Sequence, residues 1–405
     1  MKNILVGQSG GPTAVINSSL YGVVKEAEKN DITVYGMVNG IQGFIQGKYI
    51  NFADYISRPD FDTLKTTPAS FLGSCRFKLP ENLEDELYPQ IFDKLKELEI
   101  DAMIYIGGND SMDTVDKLSR YAEKIGSSIC FIGVPKTIDN DLDITDHTPG
   151  FASAAKYIAS TVRTIVWDGS VYPYPTVMVV EIMGRNAGWL TASSVLARTE
   201  YQKNPKLIYL PEIAFDKDEF IADVREAMKE DKSLIICVSE GIRDARGKLI
   251  CEYAAESEVD QFGHEHLSGC ATVLEAFVKE AVPEAKTRSI ELSLPQRCTP
   301  WMASATDALE ALEAGKTAVQ AVMRKETGKM VAFIRSDKEY KIDYRLIPVG
   351  EVCNKEKKFP KEWIVNGKDI SDEFADYVIP LIQGENQIEY EKGLPKLFKP
   401  AYLEK

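Results

Sequence analysis

Basic charge is scarce in this sequence. Lysine and arginine number 48 against 62 aspartates and glutamates, a formal charge of -14 at pH 7. A nucleic-acid backbone or an anionic membrane surface calls for a net basic face, so neither is expected as a partner. Long apolar runs are also missing, and none approaches the length that spans a bilayer. The first strand starts at once, at Asn3, so no leader is expected and a cytoplasmic location is. The seven cysteines, Cys75, Cys130, Cys237, Cys251, Cys270, Cys298 and Cys353, form no C-x-x-C pair. Neither a disulfide framework nor a zinc site fits that spacing. Two phosphate-binding signatures are absent as well: no G-x-G-x-x-G and no G-x-x-x-x-G-K-[ST] occurs. Gly43 to Lys48 has the wrong spacing for the latter and is followed by Tyr49.

What is present is a chain of 405 residues, 44% of them hydrophobic. That length exceeds what one core serves well, and about two domains are expected. Apolar runs alternate with amphipathic stretches at helical spacing. Strands are expected at Lys2 to Val6, Ile32 to Val38, Ala102 to Ile106, Ile129 to Val134, Thr176 to Ile182, Leu234 to Val238 and Arg288 to Leu292. The alternation predicts an α/β fold with mostly parallel sheets and helices on both faces. From about Asp343 onward, short strands mix with proline- and charge-rich loops.

Polar groups gather after these strands. Gly7-Gln8-Ser9-Gly10-Gly11-Pro12 is a turn whose backbone N–H groups and following helix can cradle an anion, or simply a tight turn. Gly107-Gly108-Asn109-Asp110-Ser111 allows close backbone approach, and Asp110 or Ser111 can equally cap the next helix. Phe71 to Lys78 brings Arg76 and Lys78 near a glycine turn. Further on come Met183-Gly184-Arg185-Asn186, Ser239-Glu240-Gly241 and Pro295-Gln296-Arg297. Ligands in open parallel sheets bind beyond the carboxyl ends of the strands. Turns formed for structural reasons alone would not keep collecting Asp, Arg, Glu and Gly at that one end.

The densest stretch is Pro135-Lys136-Thr137-Ile138-Asp139-Asn140-Asp141. An alcohol attacking a phosphoryl group needs a carboxylate to take its proton, with cations and donors for the phosphate oxygens. Asp139 and Asp141 are both candidates for that base, and Arg185 suits a transferring phosphoryl group. The competing reading is an Asx-rich turn that caps a helix.

From the first glycine loop to Arg297 the sequence resembles the phosphofructokinase family. Gly10-Gly11, Gly73 to Phe77, Gly107 to Ser111, Thr137 to Asp141, Met183 to Arg185, Ser239 to Gly241 and Gln296-Arg297 fall on its motifs in family order. The resemblance implies two Rossmann-like three-layer αβα domains with the active site in the cleft between them. It places a phosphoryl-donor domain at 1–150 plus about 297–345, and a sugar-phosphate domain at 151–296 plus about 346–405. It implies that Asp139 deprotonates the sugar 1-hydroxyl, Thr137 supports the moving phosphoryl group, Asp141 organises metal and substrate, and Arg185 stabilises the transition state. Met183, Gly184, Glu240, Arg288 and Arg297 would hold fructose 6-phosphate, while Gly10, Gly11, Arg76 and Asn109 would hold the donor and its Mg2+.

Departures from the family pattern bear on the donor. Asp110 and Lys136 stand where ATP-dependent members carry glycines, and both resemble the diphosphate-dependent branch. A carboxylate at 110 would meet the α-phosphate of ATP, while a lysine at 136 meets a compact diphosphate. Asn109 replaces a magnesium-binding aspartate, and an amide oxygen is a weaker ligand for a hard cation. Leu294 and Thr176 replace a His and an Arg on the sugar phosphate; Tyr390 and Lys392 are candidate substitutes. The branch implies reversible transfer from diphosphate to the 1-hydroxyl of D-fructose 6-phosphate, in a homodimer or homotetramer whose sugar site borrows residues from a neighbouring subunit. An ATP-dependent ketose-phosphate kinase and a non-catalytic sugar-phosphate-binding subunit are the alternatives.

Overall fold

The computed structural model describes residues 1–253, 269–336 and 338–403. Its two larger sheets are built, in chain order, from β1 (Asn3–Gln8), β2 (Thr33–Met37), β3 (Tyr49–Asn51), β4 (Ile100–Gly107), β5 (Cys130–Pro135), β6 (Thr176–Ile182), β7 (Leu207–Tyr209), β8 (Ser233–Ser239), β9 (Lys286–Glu291), β10 (Lys329–Arg335) and β11 (Ile342–Pro348). The chain divides into two compact units. The first is Met1–Ser153, Arg297–Glu356 and Leu381–Lys405; the second is Ala154–Gln296 and Lys357–Pro380.

In the first unit the strand order is β11-β10-β5-β4-β1-β2-β3, parallel apart from the edge strands β3 and β11. Successive side chains on a strand point to opposite faces, and here both faces are covered. Ile4 and Val6 of β1, with Ala102, Ile104 and Ile106 of β4, pack under helices Ile16–Lys29 and Ala305–Met323. Leu5, Met103 and Tyr105 pack under helices Leu87–Glu97 and Asn109–Lys124. Strands buried on both sides must be apolar throughout, which is why these runs stand out in the sequence. The order reverses beside β1: the chain leaves β1 for β2 on one side and returns to β4 on the other. Such a switch point opens a crevice at the carboxyl ends of the two strands.

In the second unit β7-β8-β6-β9 are all parallel. Val177 and Val179 of β6 with Leu234, Ile236 and Val238 of β8 pack against helices Lys217–Glu230 and Cys270–Ala281. The expected α/β architecture with mostly parallel sheets is found, and β6 has the expected bounds. β9 starts two residues earlier than expected, at Lys286.

The division of the tail departs from expectation. Residues 346–356 and 381–405 lie in the first unit, and only 357–380 in the second. Aromatic packing accounts for the split. Phe359, Trp363, Phe374 and Tyr377 surround Trp189 with ring centroids 5.1 to 6.3 Å away. Phe398 instead packs against Phe71, ring centroids 5.4 Å apart, and its N–H donates to Thr67 Oγ1 at 2.8 Å. Among the described residues no helix is long and apolar enough to cross a membrane. None of the seven cysteines is in a disulfide.

Candidate active site

Three strand ends of the first unit converge on its switch point. Ser9 N–H donates to Ile106 O at 3.0 Å and Lys136 N–H to Gly107 O at 2.9 Å, joining the loops after β1, β4 and β5. Ser74 Oγ donates to Gly10 O at 2.6 Å, adding the Arg76 loop. Gly10 has φ +79°, and a Cβ there would stand 2.9 Å from Lys136 Nζ. Its glycine is favoured by the positive φ, and a Cβ there would push the Lys136 ammonium aside.

Lys136 is buried and donates from Nζ to Gly11 O at 2.8 Å. Burial pushes its ammonium down to about 8; Asp139 and Asp141 pull upward, and Arg297 and Arg76 push it further down. One ammonium thus senses four of the residues picked out from sequence. Arg297, which the resemblance assigned to the sugar, stands here with the glycine loop. Its guanidinium lies 3.6 Å from where a Gly11 Cβ would be, and its Nε is buried without a partner.

Helix Asn109–Lys124 begins at this crevice with no side-chain cap on its first N–H groups. Free N–H groups and the helix dipole favour an anion there. Asn109 Nδ2 donates to Lys355 O at 2.7 Å, leaving its Oδ1 buried and unpartnered. Asp110 is exposed in the first turn and pairs with Lys78 at 3.0 Å. Among the described residues no group of three or more His, Cys, Asp or Glu is arranged to hold a metal ion.

The segment after Lys136 is a closed loop. Thr137 Oγ1 accepts the Asp139 N–H at 3.1 Å, and the same hydroxyl favours the ionised form of the Asp141 carboxyl. A hydroxyl can do both, since it has one proton and two lone pairs. Asn140 takes φ +53°, a left-handed conformation that asparagine tolerates. Burial, with Glu356 adding to it, pushes the Asp141 carboxyl above its ordinary range.

The second unit has its own cluster. Met183 N–H donates to Gln296 Oε1 at 3.1 Å and Gly184 N–H to Glu240 Oε1 at 3.3 Å, while Ser239 Oγ donates to Gly184 O. A Cβ at Gly241 would fall 1.8 Å from Arg185 O, so the loop after β8 can lie against the loop after β6 only with glycine there. Arg288 does not join this cluster. It sits opposite Met178, five residues before Met183, about 16 Å back along the strand. There it lines a cavity of about 450 Å³ with Thr176, Lys286, Tyr172 and Tyr174. Sequence order shows that Arg288 belongs to a strand but not which end of the strand it serves.

Two braces escaped the sequence reading. Glu212 Oε1 accepts N–H from Gly188 at 2.9 Å and from Phe359 at 3.0 Å, and Lys358 Nζ donates to Asn186 O at 3.0 Å. Both fix the segment that follows Arg185. The apolar run before Glu212 was the one local signal for it; Lys358 had none.

The description of the Phosphofructokinase family matches residues 3–322. The chain is 39% identical over 386 residues to the pyrophosphate--fructose 6-phosphate 1-phosphotransferase of Rhodospirillum rubrum, covering 94% of each chain. It is 38% identical to the enzyme of the same name from Xanthomonas campestris pv. campestris, over 97% of this chain and 95% of that one. A crystal structure of pyrophosphate-dependent phosphofructokinase from Nitrosospira multiformis superposes with a TM-score of 0.89 at 34% identity, over 98% and 96% of the two chains.

Proposed function

This chain belongs to the phosphofructokinase family, and from that premise we propose that it moves a phosphoryl group from diphosphate to the 1-hydroxyl of D-fructose 6-phosphate. The products are fructose 1,6-bisphosphate and phosphate. No nucleoside triphosphate is consumed, so the step runs readily in the glycolytic and the gluconeogenic direction. The observation that carries the choice of donor is the buried Lys136 ammonium against Gly10 and Gly11, with the Asp110 carboxylate on the adjoining helix turn. A point charge at the bottom of a narrow glycine crevice suits a compact diphosphate.

In this reading Gly10, Gly11, Arg76, Lys136 and the uncapped start of helix Asn109–Lys124 hold the diphosphate. Arg297 joins them, supported by its unpartnered Nε. Asp139 takes the proton of the 1-hydroxyl as its oxygen bonds to phosphorus and the P–O bond to the leaving phosphate breaks. Thr137 steadies the loop through its hydrogen bond from the Asp139 N–H and favours the ionised Asp141 carboxylate. Arg185 meets the charge on the moving phosphoryl group, while Met183, Gly184 and Glu240 hold the sugar phosphate.

Mg2+ fits these residues in one way. The orphaned Asn109 Oδ1 and the Asp141 carboxylate are the hard oxygens that would hold it. When bound it would neutralise charge on the donor. Arg288, far from Met183 in its own chain, supports a homodimer or homotetramer in which it serves the sugar site of a neighbouring copy. The test is to give purified protein fructose 6-phosphate with diphosphate, ATP or polyphosphate separately. The reading requires the highest kcat/KM with diphosphate, and a preference for ATP overturns it.

A further inference from the structure

The loop that carries Thr137, Asp139 and Asp141 closes on itself through a bridge between Thr137 and Gly150 and a 2.8 Å hydrogen bond from Thr148 Oγ1 to Thr137 O. Beside this closure lies His147, completely buried. Its Nδ1 is 2.7 Å from Asp146 Oδ2 and its Nε2 is 2.7 Å from Glu310 Oε2 on helix Ala305–Met323. A neutral imidazole has one N–H and cannot donate to both carboxylates; an imidazolium can. The carboxylates are themselves held. Arg335 of β10 donates to Asp146 from its Nε at 3.1 Å and from a terminal nitrogen at 2.9 Å, and Tyr340 donates to Glu310 Oε1 at 2.5 Å. The edge of His147 meets the Phe333 ring at 5.2 Å.

We propose that His147 is a positioning residue for the phosphoryl-transfer loop: as an imidazolium clamped between Asp146 and Glu310, it fixes the base of the loop to β10 and to helix Ala305–Met323 and so sets where Asp139 stands. The backbone follows the same path. Asp146 N–H donates to Phe333 O at 2.8 Å, Phe333 N–H donates to Thr145 Oγ1 at 2.9 Å, and that hydroxyl donates to His147 O at 3.1 Å. On the far side Asp307 accepts from Gly150 N–H at 3.0 Å and from Ser153 N–H at 2.9 Å.

The charges around the ring favour the clamp. Burial alone would push His147 down, but hydrogen bonds and charge from Asp146 and Glu310 outweigh it and hold the imidazole above its ordinary range. Burial likewise raises Asp146, and His147 with Arg335 brings it below its ordinary range. Asp307, which faces Glu310 from the same helix, is pushed up to about 6 by burial. Tyr340 and Tyr344 from the β10–β11 hairpin are raised by burial and by Glu310, and stay neutral. The His147 and Arg335 cations thus stand against the Asp146 and Glu310 anions, with Asp307 a third carboxylate above about pH 6, and loss of the imidazolium proton leaves Asp146 facing Glu310.

The inference rests on the proposed function, and the experiment separates the two. In the full chain, His147→Gln should lower kcat by about 10²-fold through displacement of Asp139, with KM for both substrates within about threefold. Adding Glu310→Gln to that variant should recover part of kcat, because it removes the facing charge. Glu310→Gln alone should move the alkaline loss of kcat to lower pH. The chain has three histidines, so the ring C–H signal missing from His147→Gln identifies His147 by NMR, and it should titrate above the ordinary imidazole value. Where His147→Gln fails to fold, Glu310→Gln and the parent NMR titration decide. A folded His147→Gln with parental kcat overturns the proposal, as does a His147 that titrates near 6.5. Parental activity in Asp139→Asn would instead bring down the reading of the loop itself.

Discussion

Replacing Lys136 by Met probes the donor site through two opposed consequences. Burial brings the ammonium from its ordinary 10.5 to about 8, roughly 3 kcal/mol against the charged form. The sign follows from linkage. Below about pH 8 the lysine is protonated folded and unfolded, and the full penalty applies; between about 8 and 10.5 the unfolded chain binds more protons, so stability rises with pH. Methionine fills a similar volume without the charge, at the cost of the bond to Gly11 O, about 1 kcal/mol. The variant should therefore melt at or above the parental temperature at pH 7, and the parent should close the gap toward pH 10. Diphosphate use should move the other way. A charge-assisted phosphate contact in this setting is worth roughly 2–4 kcal/mol, so kcat/KM for diphosphate should fall about 30- to 1,000-fold. In the parent, kcat/KM should start to drop above pH 8, and Lys136→Met should lose that onset and keep only the alkaline loss set by His147. Calorimetry and initial rates from pH 6.5 to 10 measure both. A variant that is less stable yet uses diphosphate as well as the parent would refute the reasoning.

Other substitutions probe the remaining roles. Asp139→Asn should lower kcat by about 10²–10⁴-fold and leave the sugar KM within a few-fold; near-native turnover would move the base to Asp141. Arg185→Lys keeps charge but loses the planar fork, and steady-state rates should stay well below parental. Asp110→Gly removes an exposed ion pair with Lys78 and puts glycine in the first helical turn, for a loss of about 1–2 kcal/mol in denaturant titration. The same change should raise kcat/KM for ATP by orders of magnitude, since a carboxylate about 4 Å from an α-phosphate costs on the order of 4 kcal/mol. No gain with ATP would remove Asp110 from the explanation of donor choice.

The sheet and the donor cluster were readable in the sequence for a shared reason. Strands covered on both faces must be apolar, so Ile100–Gly107 and Cys130–Pro135 announce themselves, and the polar residues just past them mark the carboxyl ends. Features that depend on distant partners were not readable. Nothing local distinguishes Phe374, which joins Trp189, from Phe398, which joins Phe71. Arg288 reads as a strand residue, but only the register with Met178 shows that it lies far from Met183. Asp146-His147 reads as an ordinary polar pair, because Glu310, Arg335 and Tyr340 reach it from residues far along the chain. The strand ends also fall on two sheets, three in each unit, a division that no spacing announces.

Direct transfer between diphosphate and fructose 6-phosphate is best tested by ³¹P NMR on the purified protein with Mg2+ and no nucleotide. Diphosphate should disappear as orthophosphate and the 1-phosphate of fructose 1,6-bisphosphate appear in equal amounts. A second sample, started from fructose 1,6-bisphosphate and orthophosphate, should reach the same composition from the other side. A diphosphate signal that persists until ATP is added would contradict the account.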